Sequence, residues 1–268
     1  MYSQKDSGVG QPQKYYEFNI VDCFKNLKYK GSLKKDSMKP NAVMRGQRVW
    51  RTISLEDKEN KEILNSNNMC VQISLFEVIK FGLLEKKLNA FTDDNFNEAA
   101  KNRLKESHLK KIMSVKDTSE VRSYDASGNE KTTITIENRY LQSNDIKTYV
   151  LKEDWFVSSY NGKIEKRIVA IAPLIFDKKL EKTRPLFWLY YNEWSELFNL
   201  FETKNFRDDK RISYAYAFQN QYFISKVSKE SNIFDRSVKS TQHSTDAQLE
   251  SDVIKQKISN QEGDLFQH

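Results

Sequence analysis

The sequence predicts an α+β protein, with an antiparallel sheet of hairpins in the middle of the chain and helices on either side in sequence. Three observations carry that reading. Two strand-like runs, 148–157 and 164–176, flank Asn161-Gly162, a pair suited to a two-residue type I′ turn because both positions need positive φ. Ser74-Leu75-Phe76-Glu77 is a capping box placed just ahead of apolar residues at helical spacing. A second capping box, Thr245-x-x-Gln248, opens a last amphipathic run near the end of the chain.

Taken in order, residues 1–42 show no sustained periodicity and read as a flexible basic arm, with a short extended stretch at Tyr15–Val21. The α+β core spans 43–236, and 237–268 form a C-terminal helical arm. Order begins near Val43, where Val49, Trp50, Ile53 and Leu55 supply the first large apolar groups. The helix capped by Ser74 buries Leu75, Phe76, Ile79 and Leu83, and Gly82 marks a candidate early end. A more polar helix is expected within Phe96–Met113. Asp125–Asn129 is a turn between strands at Val121–Tyr124 and Thr132–Glu137.

The Asn-Gly turn then fixes an expected register in which paired positions sum to 323. Trp155 should face Ile168, Glu153 should face Ala170, Leu151 should face Ala172, and Tyr149 should face Leu174. That face is nearly all apolar and is the expected core side. The opposite face mixes Lys152, Asp154 and Arg167 with Val150, Phe156, Val169 and Ile171, and can pack against a further element. Pro185–Tyr191 is a further expected strand, and Tyr214–Val227 a ring-rich helix with Asn232 as its stop. The last helix runs through Leu249, Val253, Ile254 and Ile258 to Gly263, a natural C′ residue. Its apolar stripe is narrow, which suits docking on a partner better than burial.

Composition narrows the function classes. The hydrophobic fraction is 38%, below the roughly 45–50% usual for globular domains. Rings offset this, with 16 Phe, 13 Tyr and 4 Trp, so a patchy core of large side chains is expected. The net charge is +7. Residues 1–40 hold eight lysines against four acids, a local +4, which fits either a solvated arm or one that tracks acidic surfaces. Only Tyr29 lies among those lysines at Leu27–Lys30, too few rings for a nucleic-acid stacking platform. Cys23 and Cys70 form no metal-ligand spacing, and both pairing and free thiols remain open. No apolar run approaches the roughly 18–20 residues that span a bilayer.

Catalytic patterns are absent from the sequence. The three histidines, His108, His243 and His268, form no metal pair, and no phosphate loop or nucleophile elbow occurs. Glu153 alone merits weighing as a catalytic acid, because burial among apolar groups is one way general acids are made. The structural reading is that it pairs with an arginine such as Arg51, or snorkels to the sheet edge. The expectation is a non-enzymatic protein with no cofactor. A basic nucleic-acid binder and a small enzyme using Glu153 are the alternatives.

Seven segments, in order, resemble the GldN/PorN family. Val49–Leu55, VWRTISL, is similar to its V-W-R-x-I-D-L and contains Trp50 and Arg51. Tyr149–Phe156, YVLKEDWF, resembles I-K-E-D-W-F through Lys152, Glu153, Asp154 and Trp155. Arg167–Pro173 resembles R-I-I-G-I-A-P, and Pro185–Trp188 matches P-L-F-W. Lys229, Glu230, Ser231, Asn232, Asp235 and Arg236 follow K-E-S-N-x-Y-D-R. Asp246–Ser251 resembles D-A-L-L-E-S, and Asp264, Leu265 and Phe266 resemble the closing D-L-W. Ser54, Phe234 and Phe266 depart mildly from the pattern, and 89–130 matches only loosely.

The resemblance implies a structural, periplasmic subunit of the type IX secretion and gliding machinery. It further implies a ring formed with a GldK/PorK-like outer-membrane lipoprotein, and contact with a GldM/PorM-like periplasmic shaft. Family members are secreted, so this sequence reads as a mature form associated with the outer membrane. The partner-binding candidates are Leu249, Val253, Ile254, Ile258, Leu265 and Phe266.

Overall fold

The computed structural model describes residues 43–65, 72–96, 99–124, 130–158, 164–177, 180–204 and 210–230. Both arms, both cysteines, the Asn161-Gly162 turn and the expected helix after Thr245 lie outside the described residues. The α+β class is as expected: a curled antiparallel sheet in the middle of the chain with helices on either side.

The sheet is built around β1 (Val43–Ser54), β4 (Thr148–Ser158) and β5 (Ile164–Asp177). Its order is β10-β1-β4-β5-β6, and a short β7 also pairs with β5. Here β6 is Lys182–Pro185, β7 is Leu189–Tyr190 and β10 is Lys226–Glu230. The expected strand at Pro185–Tyr191 is thus two short strands on β5, separated where Trp188 exchanges backbone bonds with Phe91. Between β1 and β4 lie the helices α1 (Lys58–Leu64), α2 (Leu75–Leu84), α3 (Ala99–Asn102) and α4 (Glu106–Ile112). They are followed by a separate hairpin, β2 (Ser114–Tyr124) with β3 (Glu130–Tyr140). That hairpin was expected, and is longer than the sequence indicates.

Helix α2 begins as its capping box predicts, with the Ser74 hydroxyl accepting from the backbone N–H of Glu77. Gly82 does not end it. The helix continues to Leu84, and Gly82 is needed for closeness: a Cβ there would lie against the Trp194 ring and 2.7 Å from Leu197 Cδ2. Those two residues belong to α5 (Tyr191–Leu200), a helix that the sequence reading did not anticipate. The polar helix expected in Phe96–Met113 is two short helices, α3 and α4.

The ring-rich stretch is helical only as α6 (Tyr214–Gln219), with Ser213 as its N-cap, after the small hairpin β8 (Glu202–Lys204) and β9 (Arg211–Ser213). Expecting helix as far as Val227 is incorrect. Gln221 takes a left-handed φ of 52° and Tyr222 donates back to the Ala217 carbonyl, ending the helix. The chain then pairs as β10 with β1, Arg51 opposite Val227 and Trp50 opposite Lys229.

The hairpin register also differs from expectation. Val157 faces Ile164, Trp155 faces Lys166 and Glu153 faces Ile168. An irregularity between Lys152 and Glu153 leaves Val169 as the extra residue, after which Lys152 faces Ala170 and Tyr149 faces Pro173. Ala170 and Ala172 therefore do not line the core with Glu153 and Leu151. Register follows what a sheet can bury. The observed pairing sends Ile168 and Ile171 to the helix side and turns the small alanines to the other face, where Phe91 and Trp188 approach closely.

The core lies between the helices and one sheet face. Ile53, Tyr149, Leu151 and Ile171 meet Phe76 and Ile79 of α2, Trp194 and Phe198 of α5, and Tyr214 and Phe218 of α6. Edge-on and tilted ring pairs knit α5 to α6, among them Tyr191–Phe218 at 6.2 Å and Phe198–Phe218 at 5.9 Å between centroids.

Candidate functional site

Strand alternation sorts the signature side chains onto the two faces of the sheet. On the outer face, away from the helices, Trp50 is flanked in register by Lys152 on β4 and Lys229 on β10. Lys229 Nζ lies 4.6 Å and Lys152 Nζ 5.4 Å from the indole ring, close enough for both cations to be drawn to its face. Asp94, from the loop after α2, completes the group. Its carboxylate accepts from Trp50 Nε1 at 3.0 Å and pairs with Lys152 Nζ at 2.9 Å. Lys152 also donates to the Asp94 carbonyl at 2.6 Å.

Lys152 is 5% exposed, so its ammonium depends on that compensation. Burial pushes the Asp94 carboxyl upward, but the bond and charge of Lys152 together with the Trp50 indole outweigh it and hold the group below its usual range. Beside this cluster Arg48 grips Asp154 through two bonds of 2.6 and 2.9 Å, which raises the guanidinium further above its usual value. Arg167 sits opposite Asp154 in register. Trp188 and Phe91 exchange backbone bonds of 2.8 Å each way, pinning the Asp94 loop over Ala170 and Ala172. Pro173 accepts from the Leu186 N–H at 2.8 Å, which anchors the chain leading to Trp188.

On the helix side the same strands present Arg51, Glu153 and Trp155. Glu153 is fully buried and accepts from Trp155 Nε1 at 2.7 Å and, at 3.5 Å, from Gln221 Nε2. Arg51 Nη1 lies 3.6 Å from the same carboxylate, and its guanidinium sits over the Phe223 ring at 5.7 Å. Of the two structural readings of Glu153, pairing with Arg51 is the one observed. A carboxylate held by an indole and a guanidinium is placed to brace β1, β4 and the chain after α6 against one another. Glu230, one strand over, accepts from Gln47.

Sequence reasoning missed Asp94, Gln221 and Phe223, which come from loops whose local sequence carries no signal. Ser231, Asn232, Asp235 and Arg236 lie outside the described residues, as do Leu249, Val253, Ile254, Ile258, Leu265 and Phe266. Among the described residues, no three His, Cys, Asp or Glu side chains are grouped to hold a metal ion. No described helix is long and apolar enough to cross a membrane.

The arrangement is a braced, two-faced sheet, and most of its signature side chains hold strands and loops together. The family model for gliding motility associated protein GldN matches residues 38–267. The chain belongs to the GldN family. GldN proteins are structural components of gliding motility and type IX secretion that work in the periplasm. The matched range takes in all the segments from Val49 to Phe266 on which the resemblance rests. Among curated proteins, none matches the chain.

Proposed function

We propose that this GldN chain is a non-enzymatic ring subunit, associated in the periplasm with the outer membrane through a GldK/PorK-like lipoprotein. It also meets a GldM/PorM-like shaft protein and further copies of itself. The observation that carries this reading is the family match, which runs through the core and on into the C-terminal segment. Residues 43–236 act as the core, and the arms 1–42 and 237–268 reach neighbours. Ring closure requires contacts between different patches of each copy. A sheet stiffened on both faces, by Trp50–Asp94–Lys152 and by Arg51–Glu153–Trp155, suits a part that carries load.

Light scattering on the chain alone and mixed with its lipoprotein partner tests the reading. A stable complex of raised mass is expected, and a monomer indifferent to the partner overturns it. Deleting 244–268 should leave the fold intact while lowering the assembled mass. Unchanged assembly removes that segment from the interface.

A further inference from the structure

We infer that the outer face of the sheet is the seat of the C-terminal segment, 245–266, of its own or of a neighbouring copy of the chain. This rests on reading that segment as a docking arm. The helix side of the sheet is filled by α2, α5 and α6, whereas among the described residues the outer face is covered only in part, by the Asp94 loop. Around that loop Trp50, Val150 and Phe96 stay partly buried, Tyr190 is 38% exposed and Phe176 is 60% exposed. The Phe96 and Tyr190 rings lie tilted against each other with centroids 5.1 Å apart, extending one apolar strip from β1 towards β5. Such a strip, with a polar border, is the surface an amphipathic helix seeks.

Charge selects the occupant. Strand register places five cations on this face: Arg48, Lys152, Arg167, Lys226 and Lys229. Among the described residues the acids there are Asp94, Asp154 and Glu165, leaving five against three, or +2. Segment 245–266 holds five acids and two lysines, a net −3, around its stripe of Leu249, Val253, Ile254 and Ile258. The N-terminal arm, at +4, carries the same sign as the face and is repelled by it. Reach is sufficient. The described chain ends at Glu230, on the strand paired with Trp50. The fourteen residues 231–244 span up to ~46 Å when extended.

The test places a photoreactive benzoylphenylalanine at Ile254 in the full chain and maps the crosslinked peptides by mass spectrometry. Crosslinks are expected on β1 and β4 around Trp50 and Val150, and at Phe96 or Tyr190. Lys226→Glu, at an exposed position, should lower their yield about threefold, as should raised salt. Crosslinks to the helix side or to the N-terminal arm overturn the inference, as does a yield indifferent to both charge and salt. The mass of the product separates this inference from the ring reading. A crosslink to this face between copies upholds the seat and makes it a ring contact, whereas one within a single copy upholds the seat and removes the segment from ring contacts. A ring that assembles without crosslinks to this face overturns the seat and leaves the ring standing.

Discussion

Replacing Lys80 with Met should destabilise the fold by about 3–5 kcal/mol, because it takes the paired cation from a buried carboxylate. Every residue of α2 from Leu75 to Leu83 is buried, and on it Lys80 is 1% and Glu77 0% exposed. The two pair one turn apart, and Lys80 Nζ also donates to the Leu141 carbonyl at 3.1 Å while lying 5.6 Å from the centre of the Phe76 ring. Glu77→Met alone removes the acid that pairs with the ammonium, and should cost about as much. The double variant removes both charges and refills the volume with apolar atoms, so it should lie within about 1–2 kcal/mol of the parent. The singles should therefore fail to add by several kcal/mol, a large share of the roughly 5–15 kcal/mol that stabilises a whole domain. Urea unfolding of the four proteins, followed by far-ultraviolet circular dichroism, measures the cycle. Additive losses, or a Lys80→Met cost under about 1 kcal/mol, would refute charge compensation as the reason this pair is tolerated in the core.

Tyr149 is fully buried, and its hydroxyl has no hydrogen-bond partner among the described residues. Tyr149→Phe should gain about 1 kcal/mol in the same unfolding assay, and a loss instead would mean the hydroxyl is satisfied. Burial, with the nearby Tyr214 and Glu77 charges, also pushes the Tyr149 phenol well above its usual value. The neutral form is thus favoured in the fold: its contribution is complete below about pH 10 and is lost as pH rises beyond the unfolded phenol's value. Thermal melts between pH 9 and 11 should fall less steeply in Tyr149→Phe, which has no proton to lose there. Gly82→Ala should lower stability by about 1–2 kcal/mol despite Ala's better helix propensity, since its methyl meets Trp194 and Leu197 in a packed core; a gain would show that α5 can yield.

At the acid end the sign reverses. Burial raises the Asp145 carboxyl, but Arg139 bonds of 2.6 and 2.9 Å, the Gln142 N–H and nearby cations bring it below its usual range. Asp94 is lowered likewise. Both contribute stability that is complete above the unfolded carboxyl's value near 3.9 and is lost as pH falls through the depressed folded values. Melting temperatures read from pH 5 down to 2 should fall less steeply in Asp94→Asn than in the parent.

Local chemistry was legible in the sequence. The Ser74 cap, the strands on either side of Asn161-Gly162 and the centre of the β2–β3 hairpin, at 121–124 and 132–137, follow from spacing and turn residues, which act over a few positions. Pairing of Arg51 with Glu153 was also legible, because a buried carboxylate needs a cation and Arg51 stands in the neighbouring signature. The bulge at Val169, the partition of Ala170 from Ile171, the end of α6 ahead of Gln221 and the return of 226–230 to β1 were not. Each is decided by which distant side chains compete for the same buried volume, and that competition leaves no mark in a short window. Asp94 shows the limit plainly. As sequence it is one acid in a polar loop, and only the fold brings it under Trp50 and Lys152.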